Sequence, residues 1–235
     1  MISHHHKCIF VHIPKNAGQS IEDVFLNLLD LTWKTRAPLL MRNNDRPELG
    51  PPRLAHLKAD EYVRYKYITQ EMFDNYYKFA FVRNPWSRLV SIYKELGYDN
   101  RIDFKSFLLG KFRKKIFDSQ NWFVGPQSDF VYSKEGELLV NYLGRFEDLQ
   151  NGFDFVCKQI GIPPTKLPHI NKSERNNFIV DSSNKKSIKN LLNRFSAIKK
   201  IPSYQNYQEY YDKETIECVA QLYQKDIELL GYDFE

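Results

Sequence analysis

An α/β fold built on a parallel sheet is what this sequence predicts, on three observations. Two short apolar runs, "KCIFVHI" at 7–13 and "YKFAFVRNP" at 77–85, stop at a proline and pass at once into helical apolar spacing. Runs that are apolar throughout and rich in β-branched and aromatic residues suit strands buried on both faces, as in parallel sheets. The 235 residues fit one α/β domain with elaborations or at most two small ones, and hydrophobic residues at 42% suffice for a real core.

Each element can be justified in order. The opening "MISHHHK" has no apolar signal region. No apolar run reaches the ~20 residues of a membrane span. A soluble, cytoplasmic chain with a mobile histidine-bearing tail is expected. After the first strand, Ile21, Val24, Phe25 and Leu28 recur at helical spacing, so "SIEDVFLNLL" is an amphipathic helix. Residues 36–53, rich in Pro, Asn and Arg, read as a surface loop. The second strand feeds "WSRLVSIYKELG", with Leu89, Ile92, Tyr93 and Leu96 in register and Gly97 as its stop. "LLVNYLGRFEDL" (138–149) is a third strand entering a helix near Asp148, closed by Gly161. A last helix runs from Asp212, a fitting N-cap, to Leu230. Cys8, Cys157 and Cys218 are odd in number and far apart, which suits buried reduced thiols. No linker divides the chain, so residues 1–235 form one domain.

Charge is placed unevenly. The net charge is +5, and residues 181–200 hold six Lys/Arg against one Asp, an excess equal to that of the whole chain. There Ile188, Leu191, Leu192, Phe195 and Ile198 share one helical face, so the lysines should point outward. "KFRKK" (111–115) is a second basic cluster. Such placement suits an anionic ligand or simply a solvated face.

Both strand–helix junctions carry cations. At the first, Lys15, Asn16, Ala17, Gly18, Gln19 and Ser20 fall where the apolar pattern stops. A helix start leaves N–H groups unpaired and carries about half a positive charge, so it can hold phosphate or sulfate. Gly18 allows close backbone approach; Lys15, Gln19 and Ser20 add a charge and donors. An ordinary turn with Ser20 as N-cap is the competing reading. The loop departs from G-x-x-x-x-G-K-[ST], because Lys15 precedes Gly18 and Gln19 stands where that lysine would be. At the second junction Arg83 ends a strand and can fork onto a phosphate, with Ser91 two turns into the helix. Arg88 reads as solvent-facing or ion-paired, and Trp86 as packing. Two anion sites on successive strand ends suggest one ligand with two separated anionic groups.

These residues resemble a known family. "IPKNAGQS" is similar to the 5′-phosphosulfate loop of sulfotransferases that use 3′-phosphoadenosine 5′-phosphosulfate (PAPS), and "VRNPWSRLVSIY" to their 3′-phosphate motif. "AHLKADEY" (55–62), "LGRFEDL", "LPHINKS" (167–173) and "YQKDIELLGYDF" extend the likeness over nearly the whole chain, nearest to the carbohydrate-sulfating branch. The resemblance implies a P-loop-like three-layer fold, a single sulfotransferase domain, and acceptor-side loops near 36–53, 98–130 and 174–207. It also implies PAPS as cosubstrate without a metal, a hydroxyl acceptor of saccharide type, and His56 as base with Lys15 at the leaving phosphate. Backbone amides from Asn16 to Ser20 would hold the 5′ end, and Arg83 and Ser91 the 3′-phosphate. Lys172 and Arg175 would close over the nucleotide. His12 reads as structural and His169 as a weaker alternative base. Glu147 orients a neighbour or caps a helix. The competing classes are a kinase-like P-loop enzyme and a non-catalytic module binding an acidic glycan or nucleic acid; nucleic acid is not the expected partner.

Overall fold

A computed structural model describes residues 1–168 and 201–235. His169, Lys172, Arg175, the lysine-rich segment 181–200 and most of the loop at 174–207 lie outside the described residues.

Among the described residues four strands form one sheet in sequential order: β1 (Ile2–Ser3), β2 (Cys8–Val11), β3 (Tyr77–Val82) and β4 (Tyr142–Arg145). β2, β3 and β4 run parallel, with Phe10 opposite Phe79 and Phe81 opposite Gly144, while β1 is antiparallel to β2. The opening residues are therefore not a mobile tail. Ile2 pairs with Ile9, and the Met1 carbonyl accepts from Phe10 N. Hydrogen bonds to the sheet edge and burial of Met1 and Ile2 hold that segment down, which a composition of histidines and lysine does not reveal.

Strand side chains alternate between two layers. Ile9, Val11, Ala80 and Val82 pack with Leu57, Tyr62 and Phe130 on one face. Cys8, Phe10, Phe79 and Phe81 face α1 (Gly18–Leu28) through Ile21 and Phe25, and α3 (Leu149–Ile160) through Phe153 and Val156. Gly144 is needed here, since a Cβ on it would sit 2.4 Å from the Phe81 ring. A third cluster joins α2 (Pro85–Glu95) to the last helices through Leu89, Ile92, Tyr93, Val219 and Tyr223. Trp86 packs there against Phe234, and all three cysteines are buried thiols. Among the described residues no helix is long and apolar enough to cross a membrane.

Local signals set the helix ends, with some shifts. α2 begins with Pro85 at its first position and Asn84 Oδ1 accepting from Trp86 N and Ser87 N. α1 starts at Gly18, ahead of Ser20; its cap is Ala17, left-handed at φ +59 and without a side-chain cap bond. The loop at 36–53 contains 3-10 turns at Ala37–Leu39 and Pro47–Leu49, and buries Leu39 and Met41. The last helix is two: α4 (Lys213–Leu222) and α5 (Gln224–Leu230), interrupted at Tyr223. Asp212 caps α4 in a reciprocal box with Thr215. Tyr223 is 1% exposed and its hydroxyl donates to Val124 O. That anchoring accompanies the break, and apolar periodicity runs straight through it.

Arg88 is not solvent-facing, and among the described residues no ion pair holds it. It is 1% exposed and donates to the carbonyls of Pro14, Gly125 and Phe123 at 3.0, 2.8 and 3.1 Å. A guanidinium fixed by three carbonyls ties α2 to the first junction and to the chain near Gly125. Arg88→Met strips these carbonyls of their donor, and about 2–4 kcal/mol of stability should be lost. Urea unfolding checks this: the midpoint drops while the slope stays constant.

Candidate functional site

A cavity of about 320 Å³ opens where β2 and β3 end, between the starts of α1 and α2. Parallel sheets bind ligands beyond their carboxyl ends. Lys15, Ala17, Gly18, Gln19 and Ser20 form one wall, Arg83 and Ser91 another, and His12, His56 and Arg53 border it as well. Lys15 (φ +71) and Ala17 (φ +59) adopt left-handed backbone with Asn16 between them in the ordinary region. This alternation turns successive N–H groups to one side, the geometry of anion-binding nests. The uncapped, acid-free start of α1 adds its dipole. Lys15 Nζ pairs with Glu95 Oε2 at 2.8 Å across the opening.

Gly18 is required by a side chain rather than by its own dihedrals. A Cβ there would lie 2.0 Å from His12 Nε2. His12, 6% exposed, lies against the loop, and its Nδ1 sits 2.8 Å from Glu22 Oε1 on α1. A carboxylate accepts, so Nδ1 donates.

At the second junction Arg83 Nε donates to Ser87 Oγ, and Nη1 donates to the Lys15 carbonyl at 3.2 Å. Its guanidinium lies 4.0 Å from the Phe146 ring centroid. Burial lowers the Arg83 pKa to about 10 while Glu147 opposes the fall, so the group stays charged at neutral pH. Gln127 bridges the junctions. Its Oε1 accepts from Arg83 N and Asn16 Nδ2, and its Nε2 donates to Arg83 O at 2.7 Å. The Asn16 side chain also donates to Phe81 O, so it faces inward as a tether and does not border the cavity. Glu147 accepts from Asn84 N and from the Tyr232 hydroxyl, which orients the junction.

His56 borders the same cavity, 8% exposed, with Nδ1 3.0 Å from the His12 carbonyl. A carbonyl can only accept, so Nδ1 carries the proton and Nε2 keeps the lone pair. Burial, with the His12 ring adding to it, drives the His56 pKa well below its usual 6.5. The imidazole is therefore neutral at pH 7, as a proton acceptor must be.

The family model for the sulfotransferase family matches residues 1–233. The chain belongs to the sulfotransferase family. Among its relatives are carbohydrate sulfotransferase 10 of Xenopus laevis and an uncharacterized protein of Archaeoglobus fulgidus. The first is 23% identical over 243 aligned positions covering 86% of this chain and 66% of that protein. The chain thus spans about two thirds of its length. The second is 27% identical over 116 residues, covering 47% of this chain and 89% of that protein. The parallel sheet flanked by helices is the P-loop NTPase-like architecture of this family.

In this sulfotransferase, Lys15, Ala17 to Ser20, Arg83, Ser91 and His56 converge on one cavity. Asn16 sits beneath them, and Lys172 and Arg175 lie outside the described residues. Gln127 and the His12–Glu22 pair escape sequence reasoning, because nothing in their local spacing marks a bond spanning 44 residues or a helix–strand contact.

The depressed His56 pKa has a stability consequence. The unfolded chain binds the His56 proton near pH 6.5 while the folded chain binds it only well below, so folding weakens as pH falls through that window. Urea midpoints at pH 7 and pH 5 should therefore differ less in His56→Asn than in wild type.

Proposed function

We propose that this sulfotransferase moves the sulfuryl group of PAPS to a hydroxyl of a carbohydrate-type acceptor, within one domain spanning residues 1–235. The observation that carries this reading is the convergence of two cationic strand–helix junctions and a neutral histidine on one cavity. PAPS has anionic groups at both ends, and the junctions offer a receiver for each. Likeness to carbohydrate sulfotransferase 10 supports the acceptor class.

The residues divide the work as follows. Backbone N–H groups at the start of α1 hold the 5′ end, and Lys15 stands where negative charge develops on the departing phosphate. Arg83 and Ser91 take the 3′-phosphate. The acceptor oxygen bonds to sulfur as the bond from sulfur to the 5′-phosphate oxygen breaks, and the acceptor proton passes to His56 Nε2. Preorganised donors of this kind contribute about 10²–10³-fold each, and a positioned base about 10²–10⁴-fold. The Lys15–Glu95 pair must open for the donor. Glu95 is half exposed while the Lys15 side chain is mostly buried, so Glu95 is the partner that can swing into solvent.

The reading is tested with nucleotide and with variants. Adenosine 3′,5′-bisphosphate should raise the melting temperature, and Lys15→Ala and His56→Ala should each lower PAPS-dependent transfer by at least about 100-fold. Arg83→Ala should raise the KM for PAPS more than it lowers kcat. No thermal shift with the nucleotide would count against the whole scheme.

A further inference from the structure

His12 stands at the start of α1 with one ring nitrogen left over. Its Nδ1 donates to Glu22 Oε1 at 2.8 Å, and Phe10 stacks on the ring at a centroid distance of 5.4 Å. Ring and carboxylate are both buried. The edge that carries Nε2 lies against Gly18, 2.0 Å from where a Cβ would be. The residue borders the cavity alongside Lys15, Gln19 and Ser20, and no described hydrogen bond engages Nε2. An imidazole held on both faces and at one nitrogen therefore keeps its other nitrogen beside the first turn of α1. A lone pair in that position repels a phosphate or sulfate oxygen, whereas an N–H there bonds it.

The charges around the ring couple these two states to an anion. Lys15 and Arg83 border the cavity, Arg36 and Arg42 line a smaller neighbouring one of about 110 Å³, and Arg53 borders both. Together with the dipole of α1 they oppose a further positive charge on His12. Glu22, against the ring from α1, favours one, and Glu95 is engaged by Lys15. The remaining neighbours carry no charge at pH 7. Burial pushes His56 well below 6.5, brings the Met1 amino group near Glu22 down to about 5, and raises the Tyr62 phenol. An anion in the cavity offsets the cations, and Nε2 then gains a proton.

We propose that His12 is a further donor-binding residue, and that the 5′ anion of the nucleotide is bound together with a proton on His12 Nε2. The proton comes from solvent on binding and returns to solvent on release, and Glu22 is the counter-ion of the imidazolium so formed. This inference rests on the sulfuryl-transfer reading, which puts the 5′ end at this loop. It also separates the two histidines, whose ring centroids are 4.5 Å apart. His12 takes the proton that the anion attracts, which leaves His56 uncharged to act as base.

Calorimetric titration of the full chain with adenosine 3′,5′-bisphosphate at pH 8, repeated in buffers of different ionisation enthalpy, tests this by counting protons. Phosphate monoesters lose their second proton near pH ~6, so at pH 8 the ligand is already ionised and takes up none among cations. Wild type should show net uptake of up to about one proton per nucleotide, with affinity falling by up to about tenfold per pH unit. His12→Gln and Glu22→Gln should each remove most of the uptake, and His56→Asn should retain it. Should one glutamine variant fail to fold, the wild-type proton count and the other variant decide. No uptake or net release in wild type, uptake undiminished in both glutamine variants, or uptake lost in His56→Asn would overturn the proposal. Binding without uptake sinks only this inference, and no binding of the bisphosphate at any pH sinks the donor reading beneath it.

Discussion

One buried amide holds the two junctions in register. Gln127 Oε1 accepts from both Arg83 N and Asn16 Nδ2, and its Nε2 donates to Arg83 O. It is itself fixed, because Asp226 accepts from Gln127 N and Ser128 N at 2.8 Å each. Burial raises the Asp226 pKa, with those two N–H donors opposing the rise. Polar groups without solvent access are costly to leave unpaired, so each member fixes the others. Arg88 adds a second clamp between Pro14 and the segment carrying Phe123 and Gly125. Two strand ends that would otherwise carry independent turns therefore present their cations to one space.

From that constraint the chemistry follows by division of labour. Strained left-handed backbone at Lys15 and Ala17 shapes the loop, His12 closes over Gly18, and Glu22 fixes His12. The His12 carbonyl in turn sets which nitrogen of His56 is free. The loop carrying Lys15 and the His56 ring are thus linked through a single residue just past the end of β2.

Much of this was legible in the sequence because it rests on short-range pattern. The β2–loop–α1 and β3–α2 units, the third strand and its helix, the Gly161 stop and the Asp212 cap all follow from apolar periodicity, Pro, Gly and capping chemistry. What was not legible depends on contacts far apart in the chain. The pairing of Ile2 with Ile9, the burial of Arg88 under three carbonyls and the break at Tyr223 are tertiary outcomes. Gly18 reads in the sequence as room for an anion to approach backbone, whereas the contact that excludes a side chain there is the His12 ring, which local sequence does not announce.

If both junctions serve a single ligand, its two phosphates must contribute together. Calorimetric titration of the protein with adenosine 3′-phosphate, adenosine 5′-phosphate and the 3′,5′-bisphosphate measures this directly. Each charge-assisted anchor is worth about 1.5–3 kcal/mol, so the bisphosphate should bind at least about tenfold more tightly than either monophosphate. An affinity for the bisphosphate no greater than that of one monophosphate would mean that only one junction is engaged, which contradicts the account.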